Sequence, residues 1–190
     1  MKLRVVVVGI PGAGKTTIVD KLSSSVKGSK LVTFGTAMLE EGARLRWIRH
    51  RDELRKLTVE RQRKLQTLAA AKIAKMKARV LFVDTHLFIR TNEGFWPGLP
   101  FDVVRALKPT HLILVEATAE EIMIRRRTDR TRYRDEVTIA DLEGELALAR
   151  SFLAASSTLT GAPMLIAINR HGKSDEVAGH LAQVLEVAAA

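Results

Sequence analysis

Residues 5–8 are four consecutive valines, so this stretch is apolar on both alternating faces and β-branched throughout. Such a run predicts a central strand of a parallel sheet, covered on both sides. The spacing turns helical over residues 16–22. Residues 31–34 predict a second short strand, which Gly35 should end. Residues 36–77 are helical in pattern and highly charged, with a break near residues 47–52. The longest piece, 53–76, carries Leu54, Leu57, Leu65, Leu68 and Ile73 as a helical stripe beneath a basic face. Residues 80–83 form another continuous apolar strand ended by Asp84, and residues 111–115 and 164–168 supply a fourth and a fifth. Residues 92–100, rich in Gly, Pro and aromatics, read as a loop. Helical stretches near 119–127, 138–156 and 174–187 complete the alternation. Strands alternating with helices predict an α/β fold of three layers with a five-stranded parallel sheet. The insertion between the second and third strands is the candidate subdomain of an otherwise single domain, residues 1–190.

Composition narrows the partners. The chain has 190 residues, 46% of them hydrophobic, which suffices for a sizeable core. Thirty-one Lys and Arg against 21 Asp and Glu leave a formal charge of +10. That excess favours anionic partners: nucleotides, nucleic acid or an acidic membrane surface. With no cysteine, disulfide scaffolds and thiolate-bound zinc are excluded. The opening apolar run is too short to span a bilayer and runs into a glycine-rich loop, unlike a signal peptide. The expectation is a cytoplasmic protein with no membrane partner.

Directly after the valine strand stand Gly9, Ile10, Pro11, Gly12, Ala13, Gly14, Lys15, Thr16 and Thr17. They fit the pattern Gly-x-x-x-x-Gly-Lys-Ser/Thr, followed by a helix. Glycines let the backbone turn N–H groups around a phosphate that a Cβ would crowd, and the helix start adds its positive end. Lys15 reaches β- and γ-phosphates, and the Thr16 hydroxyl is a ligand for Mg²⁺. A strand before and a helix after make a chance match improbable, so the chain reads as a P-loop NTPase.

Asp84, at the end of the third strand, is the second candidate ligand of Mg²⁺, directly or through water; as an ordinary turn residue it would do nothing chemical. Residues 125–134 read Arg-Arg-Arg-Thr-Asp-Arg-Thr-Arg-Tyr-Arg. Alone, such a run is a solvated basic surface. Beside a phosphate loop, planar guanidinium groups can neutralise the charge that develops on a transferring phosphoryl group. A loop bearing them can close over the site. Arg90 lies six residues beyond Asp84, near the carboxyl ends of the strands, where it can hold the phosphate of an acceptor. His86, Trp47 and Trp96 have packing roles at least as readily as substrate contacts.

Taken together, these segments resemble the archaeal-type adenylate kinase family. The resemblance rests on residues 9–17, on 51–57 (Arg-Asp-Glu-Leu-Arg-Lys-Leu), on 84–91, on 97–100 (Pro-Gly-Leu-Pro) and on 129–134 (Asp-Arg-Thr-Arg-Tyr-Arg). It implies reversible phosphoryl transfer from Mg-ATP to AMP, giving two ADP. It also implies a helical AMP-binding insertion at 36–77, a short arginine-rich lid at 125–137, and a homotrimer. By analogy Arg90 and Thr36 would serve AMP, while Arg125, Arg132 and Arg134 would act with Lys15 at the transferring group. Family members often carry Asp after the glycine that opens the insertion, where this chain has Thr36.

Two alternatives stand beside this reading. A kinase for another nucleoside monophosphate would keep everything but the acceptor pocket. An RNA- or ribosome-associated P-loop ATPase would use the basic helices for nucleic acid. Aromatics make up only 5% of the chain and no RNA-recognition motif is present, so no specific nucleic-acid partner is expected.

Overall fold

The computed structural model describes residues 2–91, 94–128 and 137–189. The valine run forms β1 (Leu3–Val8), and all four valines are fully buried. Around it lie β2 (Ser29–Thr33), β3 (Val80–Asp84), β6 (His111–Glu116) and β7 (Met164–Ile168), in the parallel order β2-β3-β1-β6-β7. The expected five-stranded parallel sheet is therefore present. Its registers pair Val7 with Asp84 and with Ile113, so the carboxyl ends of β1, β3 and β6 finish side by side.

The alternation along β1 divides the core. Val6 and Val8 join Leu81, Val83, Leu112 and Leu114 beneath α2 (Phe34–Arg44), α3 (Val59–Ala74), α4 (Phe101–Leu107) and α6 (Ile139–Thr160). Val5 and Val7 face the other way, with Phe82, Ile113 and Val115, against α1 (Lys15–Ser25) and α7 (Ser174–Ala189). Three layers result, as a parallel sheet buried on both faces requires. The last helix to place, α5 (Ala119–Thr128), packs beside α6.

Three expectations need correction, and one element was not foreseen. Gly35 does not end β2 but lies in the first turn of α2. A glycine costs little there, because first-turn N–H groups have no intrahelical acceptor, and buried Phe34, Ala37 and Met38 anchor the helix. The long helix at 53–76 is shorter: a 3₁₀ segment, Arg51–Lys56, holds Leu54, and α3 begins only after Thr58, whose hydroxyl accepts from the Arg61 N–H at 3.4 Å. Residues 92–100 are not wholly loop, since β5 (Gly94–Pro97) pairs antiparallel with β4 (Phe88–Thr91). Helix α4 has no counterpart among the predicted elements. Within the small β4–β5 sheet Phe88 meets Phe95 at 5.0 Å, and its contact with Phe152 of α6 at 5.8 Å docks the sheet.

Candidate active site

The phosphate loop is held by its own carbonyls. Gly12 and Gly14 take the left-handed φ values of 92° and 86° that glycine alone adopts at little cost. Three successive carbonyls are then gripped from outside. The Arg126 Nε donates to Pro11 O at 2.8 Å, and an Arg125 amino group donates to Gly12 O and Ala13 O at 3.4 and 3.2 Å. The Asn169 side-chain amide donates to Ala13 O at 3.0 Å. In a planar trans peptide the following N–H points opposite to the carbonyl. The amides of Gly12 and Gly14 are accordingly turned to the inner side of the loop, as a phosphate cradle needs. Bulk is excluded here too: a Cβ on Gly14 would lie 2.2 Å from the Asn169 amide nitrogen, and one on Gly9 2.7 Å from Val115 O.

Lys15 opens α1 and is 8% exposed, and its ammonium pairs with the Asp84 carboxylate across the β1–β3 ends. This pair brings the charged residue of the motif to the carboxylate that ends β3. Thr16 and Thr17 follow on the exposed side of the first turn. Ile10 and Ala13 are buried and fix the loop to the core, while Pro11 lies exposed at its tip. As ligands, the Thr16 hydroxyl and the Asp84 carboxylate form an all-oxygen set of the kind that suits Mg²⁺. The ion pair with Lys15 shows that the carboxylate faces the loop, so these residues fit the metal.

The arginines divide into three groups. Arg125 belongs to α5 and wraps the loop; besides the two loop carbonyls it donates to Asn169 O at 2.9 Å and lies 3.8 Å from Glu121. Arg90, on β4, is 52% exposed and reaches Glu145 at 3.6 Å, with its guanidinium 5.9 Å from the Phe95 ring. Arg132 and Arg134 lie outside the described residues. Thr36 is exposed on the first turn of α2. His86 sits beneath the loop, with Nδ1 3.3 Å from Gly9 O. Trp47 packs under the Arg61 guanidinium at 5.2 Å.

Four polar residues at this site escaped the sequence reading: Glu121, Arg126, Glu145 and Asn169. A signal existed for Asn169, which stands just past the fifth strand at its carboxyl end, where α/β folds bind ligands. Arg126 was inside the basic run but indistinguishable from its neighbours. Glu145 and Glu121 look like any helix-surface acid until the fold buries or pairs them. Glu121 accepts from the His171 and Thr118 N–H groups at 2.6 and 3.2 Å. Burial pushes its carboxyl up, but those two bonds with the Arg125 and Arg170 charges outweigh it and hold it below the usual range.

Comparison with known proteins gives the family and the fold. The sequence model of the AAA domain family matches residues 8–143. An adenylate kinase of Methanocaldococcus jannaschii is 40% identical over 187 residues, covering 96% of this chain and 97% of that one. One from Methanococcus aeolicus is 39% identical over 186 residues, covering 95% and 96%. Among solved structures, a shikimate kinase from Bacteroides thetaiotaomicron superposes with a TM-score of 0.65 at 13% identity, covering 97% of this chain and 98% of its own. Thymidylate kinase from Candida albicans gives 0.58 at 14% identity, with 98% and 92% covered. At such identities the structures bear on the fold alone, whereas the sequence relatives match over nearly the full length of both chains. With its phosphate loop intact and its length shared with these relatives, the chain belongs to the archaeal-type adenylate kinase family.

Proposed function

We propose that the protein is an ATP:AMP phosphotransferase that converts Mg-ATP and AMP reversibly into two ADP. The observation that carries this reading is the assembled loop, with Lys15 and Asp84 meeting at the strand ends, in a chain 39% identical over 186 residues to an adenylate kinase. In the forward reaction an AMP phosphate oxygen bonds to the γ-phosphorus of ATP as the bond from that phosphorus to the bridging oxygen breaks. The electron pair leaves with ADP. The attacking oxygen is already anionic at neutral pH, so no general base is needed, and the protein's work is positioning and neutralisation.

Residues 9–17 cradle the ATP phosphates, and Lys15 serves the β- and γ-oxygens. Arg125 stiffens the loop and stands close enough to share its charge. Arg132 and Arg134 are assigned to the transferring group by family resemblance and belong to the lid, 125–137. Thr36 and Arg90 are assigned to AMP, with residues 36–77 as the acceptor-binding insertion. Thr16 and Asp84 would hold Mg²⁺, which when bound neutralises the phosphate oxygens of ATP. The charge of +10 is then directed at nucleotides, in the cytoplasm, with no nucleic-acid or membrane partner in the reaction.

We extend the proposal to a homotrimer. Support for self-association comes from β7, an edge strand that leaves Met164, Ile166 and Ile168 each about half exposed on one face. The test of the function is a coupled assay with ATP and a panel of acceptors: AMP, CMP, UMP, GMP, dTMP and shikimate. AMP should exceed every other acceptor in kcat/KM. A higher value for another monophosphate would replace the acceptor assignment while leaving the phosphotransferase.

A further inference from the structure

Glu145 is a carboxylate on α6 and only 7% exposed, in a region proposed to handle phosphates. An acid there repels the ligand, and taking it out of water is itself unfavourable. Two guanidinium groups offset both costs. Arg126, from α5 and 10% exposed, donates to one oxygen at 2.9 Å, and Arg90, from β4, approaches the other at 3.6 Å. The Arg126 Nε simultaneously donates to Pro11 O at 2.8 Å. Its side chain lies over the loop so closely that a Cβ on Gly12 would stand 3.1 Å from the Arg126 Cγ. A continuous chain of charged contacts thus runs from the phosphate loop through Arg126 and Glu145 to Arg90. It carries two positive charges and one negative, net +1.

We propose that Glu145 is a positioning residue for phosphoryl transfer. Anchored on Arg126, which the loop holds through Pro11 O, its carboxylate fixes Arg90 at the acceptor side, so that the acceptor phosphate and the loop keep a fixed separation. Arg90 needs such a partner. It lies half exposed on a two-stranded hairpin, and an unrestrained arginine there would lose rotamer freedom each time it gripped a phosphate. Asp141, whose carboxyl feels the Arg90 charge, is already committed to capping α6 through Thr138, which among the described residues leaves Glu145 as the carboxylate that orients the guanidinium.

The inference rests on the acceptor being AMP held by Arg90, and the experiment separates the two claims. Wild type, Glu145→Gln, Glu145→Asp, Arg90→Ala and the double variant Glu145→Gln/Arg90→Ala are compared by steady-state kinetics, varying AMP and ATP in turn, with thermal melts alongside. Wild-type turnover of AMP must be seen first; its absence defeats the proposed function. Given turnover, Glu145→Gln should raise the AMP KM about tenfold and move the ATP KM less than twofold. Glu145→Asp, which keeps the charge, should recover part of that loss, and it carries the test if the Gln variant does not fold. In the Arg90→Ala background the Gln substitution should add nothing to the AMP KM, because its effect passes through Arg90. An unchanged or lowered AMP KM, or an undiminished effect without Arg90, would show that Glu145 merely joins α5 to α6.

Discussion

Around the phosphate loop, carbonyls of Pro11, Gly12 and Ala13 are each engaged by a side chain from α5 or from the end of β7. Across the site, the proposed acceptor side hangs on a hairpin whose Arg90 is 52% exposed and, among the described residues, reaches the Glu145 carboxylate at 3.6 Å. The phosphate loop is built into the sheet, at the ends of β1 and β3, and inherits the rigidity of a strand buried on both faces. The hairpin is attached to that frame from outside, through the ring contact of Phe88 with Phe152 and the bond from the Gln66 amide to Pro97 O at 3.2 Å. A phosphotransferase gains from this division. Under the proposed assignment, one substrate meets a preorganised cradle and the other a more exposed hairpin.

Lys15→Ala strikes the rigid half at its chemistry and should give the largest effect. Turnover should fall by about a hundredfold or more, with the secondary structure retained by circular dichroism. Near-normal turnover would remove the loop from the mechanism. Gly14→Ala attacks the same half through its backbone. The new Cβ combines a φ of 86° with a close approach to Asn169, and the expected cost is about 2 kcal/mol in denaturant melts, with a raised KM for ATP. A melt like wild type would mean that the cradle is softer than its contacts suggest.

Arg90→Ala tests the other half and should raise the AMP KM about tenfold while leaving the ATP KM within about twofold. Equal shifts in both would erase the distinction between the two sides. Thr16→Ala should raise the Mg²⁺ concentration needed for half-maximal rate by several-fold, read from a metal titration at fixed ATP. An unchanged titration would leave Thr16 as a helix-opening residue only. The smallest effect is expected for Glu121→Gln, which loosens Arg125 and the segment after β7 without touching the loop. The folded-state pKa of Glu121 is lowered, so its stabilisation is fully present above the ordinary carboxylate range and is lost as pH falls through the folded value. The variant should melt about 1 kcal/mol below wild type at pH 7, with the gap closing in acid. A gap that persists at the lowest pH would point to packing rather than charge.

Legibility in the sequence followed range. The valine strand, the glycine pattern at 9–16 and the strand ended by Asp84 are each written in a few consecutive residues. Periodicity and backbone preference act over that distance, and all three appeared in the structure. Gly35 was misread because a glycine is a local break signal, and only the packing of Phe34, Ala37 and Met38 carries a helix through it. Strand β5 was misread because turn-rich composition conceals a hairpin whose pairing with β4 and contact with Phe152 are tertiary facts.

The sequence by itself determined the layered α/β class, the phosphate cradle and the ligand class. The tertiary structure decided which charges meet. Asn169 lies 156 positions from the Ala13 carbonyl it serves, and Arg126 lies 19 from Glu145 on a different helix. Nothing in their own neighbourhoods distinguishes these side chains from solvated ones. A pairing of that kind exists only once helix packing and strand order have brought two distant stretches within hydrogen-bond reach and removed the water between them.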